Sequence, residues 1–77
     1  MHFDIVGEIT DIETIAVSGS LRILPVLRRR FGPGRWQKRN GVATVRLADG
    51  DLHRAEIHWF AAQGIGRRLM RIKRFLD

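Results

Sequence analysis

Eleven basic side chains are spaced so that they could hold phosphates: Arg28, Arg29 and Arg30, then Arg35, Lys38 and Arg39 around Trp36, then Arg67, Arg68, Arg71, Lys73 and Arg74. Lys and Arg neutralise phosphate charge, and an exposed indole offers a flat face on which an unpaired base stacks for roughly 1–3 kcal/mol. The chemistry expected of this set is nucleic-acid binding, with Trp36 as the stacking aromatic. The structural reading of the same residues is a solvated basic face and a Trp36 that closes the bottom of the core. A second constellation is catalytic in type. Arg54, Glu56 and His58 recur at i, i+2, i+4 and so share one face of a strand, with Arg46 on the neighbouring strand. Glu and His could exchange protons with a ribose hydroxyl and a leaving oxygen while Arg stabilises the phosphorane, without a metal. The ordinary alternative is a cross-strand Arg–Glu surface pair.

Charge is divided unevenly along the chain. Asp4, Glu8, Asp11 and Glu13 fall in residues 1–20 with no Lys or Arg, whereas residues 21–77 hold all 14 Lys and Arg against Asp49, Asp51, Glu56 and Asp77, for a net charge of +6. A cationic surface maintained in this way points to a polyanionic partner. The acidic first segment is expected to pack against the basic strands or to shield them.

Other chemistries find little support. The chain has no cysteine, which removes disulfides, thiolate metal sites and cysteine nucleophiles. His53, His58 and Glu56 are too sparse for a metal centre, and no cofactor motif is present. Gly64-Ile65-Gly66-Arg67-Arg68 could cradle a phosphate, but a lone G-x-G outside a strand-to-helix context reads as a turn. No run approaches a membrane span, and the N-terminus lacks a signal-peptide pattern, so a cytoplasmic setting is expected.

Seventy-seven residues, 44% of them hydrophobic, make one small domain over residues 1–77. Period-two alternation of Phe3, Ile5 and Ile9 against Asp4, Glu8 and Thr10 indicates a strand. The phase slips near Thr10-Asp11, so two short strands are expected, about 2–9 and 13–18, with one bent strand as the alternative. Ser20 is placed to cap a helix carrying Ile23, Leu24, Leu27 and Phe31. Pro25 delays its regular start, and Gly32-Pro33-Gly34 ends it.

Val42–Leu47 and Leu52–Phe60 form a hairpin whose register can be derived. A two-residue Asp49-Gly50 turn would pair Val45 with Arg54 and Ala43 with Glu56. A three-residue Ala48-Asp49-Gly50 loop pairs Val45 with His53 and Ala43 with Ala55, and keeps Ala43, Val45, Leu47, Ala55, Ile57 and Trp59 on one apolar face. The second register is the one expected. Met70 and Ile72 alternate with Arg71 and Lys73 as in a strand, although Ile65, Leu69, Ile72 and Leu76 also fit a helix face; a last strand is preferred. The fold class is therefore α+β: a curved antiparallel sheet of about five strands, open and barrel-like, with one helix between strands 2 and 3.

The residues Gly34-Arg35-Trp36, Lys38, Ala43, Val45, Leu47, Asp49-Gly50, Ala55 to Phe60, Gly64-Ile65-Gly66 and Ile72 to Leu76 together resemble a pattern in small uncharacterised bacterial proteins. That resemblance implies a bacterial or phage setting and no site. In size, charge and fold class the chain is also similar to small bacterial toxins that cleave RNA. The functional expectation is a nucleic-acid-binding module with RNA favoured over DNA. The alternatives are a metal-independent ribonuclease using Arg54, Glu56 and His58, and a protein-interaction module, either a sheet-edge homodimer or a binder of an acidic protein.

Overall fold

The computed structural model describes residues 2–77. Four strands, β1 (Phe3–Val17), β2 (Gln37–Leu47), β3 (Leu52–Ala62) and β4 (Gly66–Phe75), form one open antiparallel sheet in the order β1-β2-β3-β4. The helix α1 (Leu24–Phe31) lies between β1 and β2, preceded by a short 3-10 turn at Ser18–Ser20. The expected five strands and the helix between strands 2 and 3 are thus corrected to four strands and a helix between strands 1 and 2. The two short strands expected at the start are one bent strand. Its register against β2 shifts between Val6 and Thr10, between Thr10 and Glu13, and between Thr14 and Ala16. Gly7 (φ 78°) and Asp11 (φ 54°) absorb the phase slip as bulges, so the chain never turns back.

Ser20 is not the helix cap. Its hydroxyl donates to the Val17 carbonyl (2.8 Å), and the helix begins at Leu24 with Pro25 in its first turn, where a missing N–H costs no intrahelical bond. Gly32 ends it with φ 115° while donating its N–H to the Arg28 carbonyl.

The β2–β3 hairpin has the expected register, with Ala43 opposite Ala55 and Val45 opposite His53. Leu47 N–H donates to the Asp51 carbonyl and Gly50 N–H to the Leu47 carbonyl (both 2.9 Å), and Gly50 sits at φ 91° as a three-residue loop requires. The two faces of this hairpin then serve two separate cores. On the first face Ala43, Val45, Ala55, Ile57 and Trp59 are buried beneath Phe3, Ile5 and Ile9 of β1 and Met70 and Ile72 of β4. The outer strands curl toward each other across this core and leave a seam lined by Glu8 and Ile9 on one side and Arg67 and Met70 on the other. On the second face, at one end only, α1 packs Leu27 against Trp36 and Ala62, with Phe31, Phe60 and Ile65 around them.

Gly41 marks the tightest packing. A Cβ there would lie 2.5 Å from Ile9 Cγ2, 3.0 Å from the Thr10 carbonyl and 3.1 Å from the Trp59 ring. A β-branched methyl, a backbone oxygen and a buried indole cannot all withdraw. Gly41→Ala should therefore cost about 1–3 kcal/mol, the usual scale of overpacking, and lower the melting temperature by several degrees. Thermal unfolding followed by Trp fluorescence measures this, and an unchanged midpoint would show that β1 does not cross β2 so closely.

Candidate nucleic-acid interface

β4 would present Arg68, Met70, Ile72 and Arg74 on one face and Leu69, Arg71 and Lys73 on the other if it were regular. It is not regular. Phe60 pairs with Arg68, His58 with Arg71 and Glu56 with Arg74, with register shifts between each pair and the next. Leu69 (φ 55°) and Lys73 are the extra residues of two bulges. Because Phe60, His58 and Glu56 alternate regularly along β3, their partners Arg68, Arg71 and Arg74 must share a face. Met70 and Ile72 turn to the opposite face and join the first core. The result is a line of three arginine positions along the backbone, each two β3 residues from the next, or about 7 Å.

Helix α1 extends this line. Arg28, Arg29 and Arg30 are exposed in its last turns, where cations suit the helix dipole. The Arg30 and Arg68 guanidiniums lie 5.0 and 5.2 Å from the Phe31 ring centroid, so one aromatic ring links the helix to β4. Lys38, opposite Phe60 in the register, places its ammonium 5.9 Å from that ring on the same face. The remaining cations are elsewhere. Arg39 pairs with Trp59 and Arg67 with Ala61 on the first-core side, where Arg67 lies 5.5 Å from the Trp59 ring. Arg35 is exposed just before β2, and Lys73 is exposed at its bulge. The cations that the sequence groups together are thus divided between the two faces of the sheet.

Trp36 is corrected outright. It is 0% exposed, fills the space between α1 and the end of β3, donates its indole N–H to the Gly32 carbonyl (3.1 Å) and lies beside Phe31. No face of the ring is open to a base, so the stacking role expected of it is excluded. The alternative, a core-closing tryptophan, describes it correctly.

The acidic strand does not neutralise the basic one. β1 and β4 are at opposite edges of the sheet, and among the described residues none of Asp4, Glu8, Asp11 and Glu13 pairs with a Lys or Arg. Among those residues Arg74 is the one Lys or Arg with a carboxylate within 4 Å, at 3.0 Å from Glu56. The other cations form no ion pair among the described residues. Both edge strands are also bulged and charged, two devices that oppose edge-to-edge pairing.

Of the catalytic candidates, the structure joins Glu56 and His58 and leaves Arg54 apart. His58 Nε2 lies 2.6 Å from Glu56 Oε2, while the Arg54 guanidinium donates to Thr44 Oγ1 and Arg74 takes the remaining oxygen of Glu56. His58 is only 7% exposed, and its Nδ1 is buried with no partner among the described residues. With one ring nitrogen covered and the other taken by Glu56, the pair is arranged to hold Glu56 and, through it, Arg74. Sequence reasoning misses that role for Arg74, because the bulges that bring it opposite Glu56 leave no mark in the residue pattern. Comparison with known proteins found no matching family model, no similar curated protein and no similar solved structure.

The His58 hydrogen bond, aided by the Arg74 guanidinium, holds the Glu56 carboxyl below its ordinary value of 4.5 against an opposing desolvation. Near that pH the folded protein binds fewer protons than the unfolded chain, so the stabilisation is fully present above the ordinary Glu range and is lost as pH falls through the lower native value. In thermal melts of the parent and Glu56→Gln, the parent's advantage should therefore shrink on acidification from about pH 6 to about pH 3. A difference that stays constant with pH would show that the carboxylate charge contributes nothing there.

Proposed function

We propose that this chain binds single-stranded nucleic acid, RNA in preference to DNA, by laying one phosphate backbone along the face that carries Arg68, Arg71 and Arg74, with Arg30 and Lys38 beside them. The observation that carries the reading is the pair of β4 bulges. They turn three arginines at i, i+3, i+6 into a straight row whose spacing is comparable with that of successive phosphates on one strand, while Met70 and Ile72 remain in the core. A guanidinium is suited to the row because it binds phosphate oxygens in pairs and also stacks on bases, which supplies the base contact that the buried Trp36 cannot.

A single strand fits this surface better than a duplex. α1 has eight residues and buries Leu27 against the sheet, so it offers no free recognition helix for a major groove. The row is also short, three positions on one strand, and its cations are backbone readers that carry little base specificity. The nuclease alternative has less support, since its imidazole is covered.

The test is fluorescence anisotropy with labelled single-stranded RNA, single-stranded DNA and duplex DNA of equal length at several salt concentrations, following label integrity in the same samples. Affinity for single strands should fall steeply with salt. Arg68→Gln with Arg71→Gln should weaken binding at least about tenfold and reduce the log–log salt slope by about 0.7 for each phosphate that is no longer neutralised. If the double variant binds as the parent does, the row is not the interface; cleavage of the label would bring the Glu56–His58 pair forward instead.

A further inference from the structure

The sheet face opposite the arginine row carries a second cationic feature of different shape. Arg35, Gln37 and Arg39 border a depression of about 410 Å³ whose other walls are Ala61, Ala62 and Gln63. Ala61 is what leaves it open: one step along the same face of β3, Trp59 fills the corresponding space, while Ala62 turns toward the second core. No carboxylate lines the depression, and among the described residues neither arginine has an ion-pair partner.

Arg39 is held in an unusual way. It is half-buried, and its Nε and Nη2 both donate to the side-chain carbonyl of Gln37, at 3.1 and 2.9 Å. A carboxylate would be the ordinary partner for a half-buried guanidinium. The amide oxygen instead fixes its orientation without cancelling its charge, and leaves Nη1 free. With that oxygen occupied, Gln37 has its NH2 group to offer. Two fixed or bordering guanidiniums and a side-chain amide that can only donate make a site for a ligand that accepts hydrogen bonds and carries more than one negative charge.

We propose that this depression takes a phosphomonoester group. A monoester carries about −1.5 to −2 charge at neutral pH and three terminal acceptor oxygens, whereas an internal phosphodiester carries one charge and two. The walls of β2, β3 and the turn at Gln63 close the depression on one side, which suits a chain end better than a backbone passing through. Arg35 and Gln37 also line a neighbouring depression with Arg28, so cations continue from this site to α1, and Arg30 continues from α1 to the row on the other face. This inference rests on the single-strand reading for its preferred source, the terminal phosphate of the bound strand; a mononucleotide presents the same chemistry.

The experiment compares oligonucleotides of one sequence bearing a 5′-phosphate, a 3′-phosphate or hydroxyls at both ends, binding to the full chain, with adenosine monophosphate tested separately by NMR at the Arg39 side chain. One phosphorylated end should bind about tenfold tighter than the hydroxyl form, the scale of a single charge-assisted contact. Gln37→Glu, which keeps the shape but gives Arg39 a carboxylate, should abolish that ratio, as should Arg39→Gln. Arg68→Gln with Arg71→Gln should lower all affinities and keep the ratio. Thermal melts confirm that the variants fold. Equal affinity for phosphorylated and hydroxyl ends overturns the proposal while leaving the arginine row intact. If no oligonucleotide binds yet the mononucleotide perturbs Arg39 in the parent and not in Gln37→Glu, the site stands and the single-strand reading falls. If neither ligand is bound, both fall.

Discussion

The register of the β2–β3 hairpin is the constraint on which everything else in this molecule depends. A slip of one residue would exchange the faces of every side chain on one strand, carrying Trp59 toward α1 and sending Glu56 and His58 into the first core. The three-residue loop ending at Gly50 prevents this, because its closing bonds at Leu47 leave one way to align Val45 with His53. With the register fixed, β3 can present Ala55, Ile57 and Trp59 to one core and Phe60 and Ala62 to the other. A chain this short, without disulfides, has few other means of burying enough apolar surface.

The irregularity of the outer strands follows from the regularity of the inner pair. β2 and β3 pair without a shift, while β1 shifts three times and β4 twice. Strands that wrap the margins of a strongly curved sheet travel farther than those at its centre, and bulges are how an antiparallel ladder accommodates extra residues. On β1 they let Ile9 reach the space that Gly41 leaves open. On β4 they have a chemical result, since Leu69 and Lys73 are set aside so that three arginines face one way and two apolar residues the other. Local packing and the charged surface are in this sense one arrangement.

The parts of the fold legible in the sequence are those decided by local chemistry. Gly50 and the alternation on either side define the hairpin, and Gly32 defines the end of the helix. The joining of the first two expected strands is less visible, because a phase slip at Thr10-Asp11 looks the same whether the backbone turns or bulges; pairing with β2 decides between them. Ser20 misleads for a related reason, its hydroxyl donating back to the Val17 carbonyl and accepting no N–H from the helix start. At the site, composition identifies the cations but not their grouping. Trp36 invites misreading because an indole beside Arg35, Lys38 and Arg39 has the same sequence signature whether it faces solvent or closes a core. The Arg74–Glu56–His58 chain and the Gln37 hold on Arg39 arise from cross-strand or same-face contacts whose geometry a sequence pattern does not contain.

The distribution of charge remains costly for an isolated domain of this size. Cations gathered on α1, β4 and the start of β2 repel one another, and among the described residues no carboxylate of β1 forms an ion pair with any of them. A surface kept soluble by charge alone would intersperse the two signs. Here the few neutralising contacts are limited: Glu56 is shared between His58 and Arg74, and Arg39 is oriented by an amide in place of a carboxylate. Self-repulsion of this kind is relieved when a polyanion occupies the surface, and binding to the folded state then raises its stability in proportion to the logarithm of ligand concentration. The positioning of guanidiniums by neutral, aromatic or single acidic neighbours is thus the physical link between how this chain folds and what it is arranged to hold.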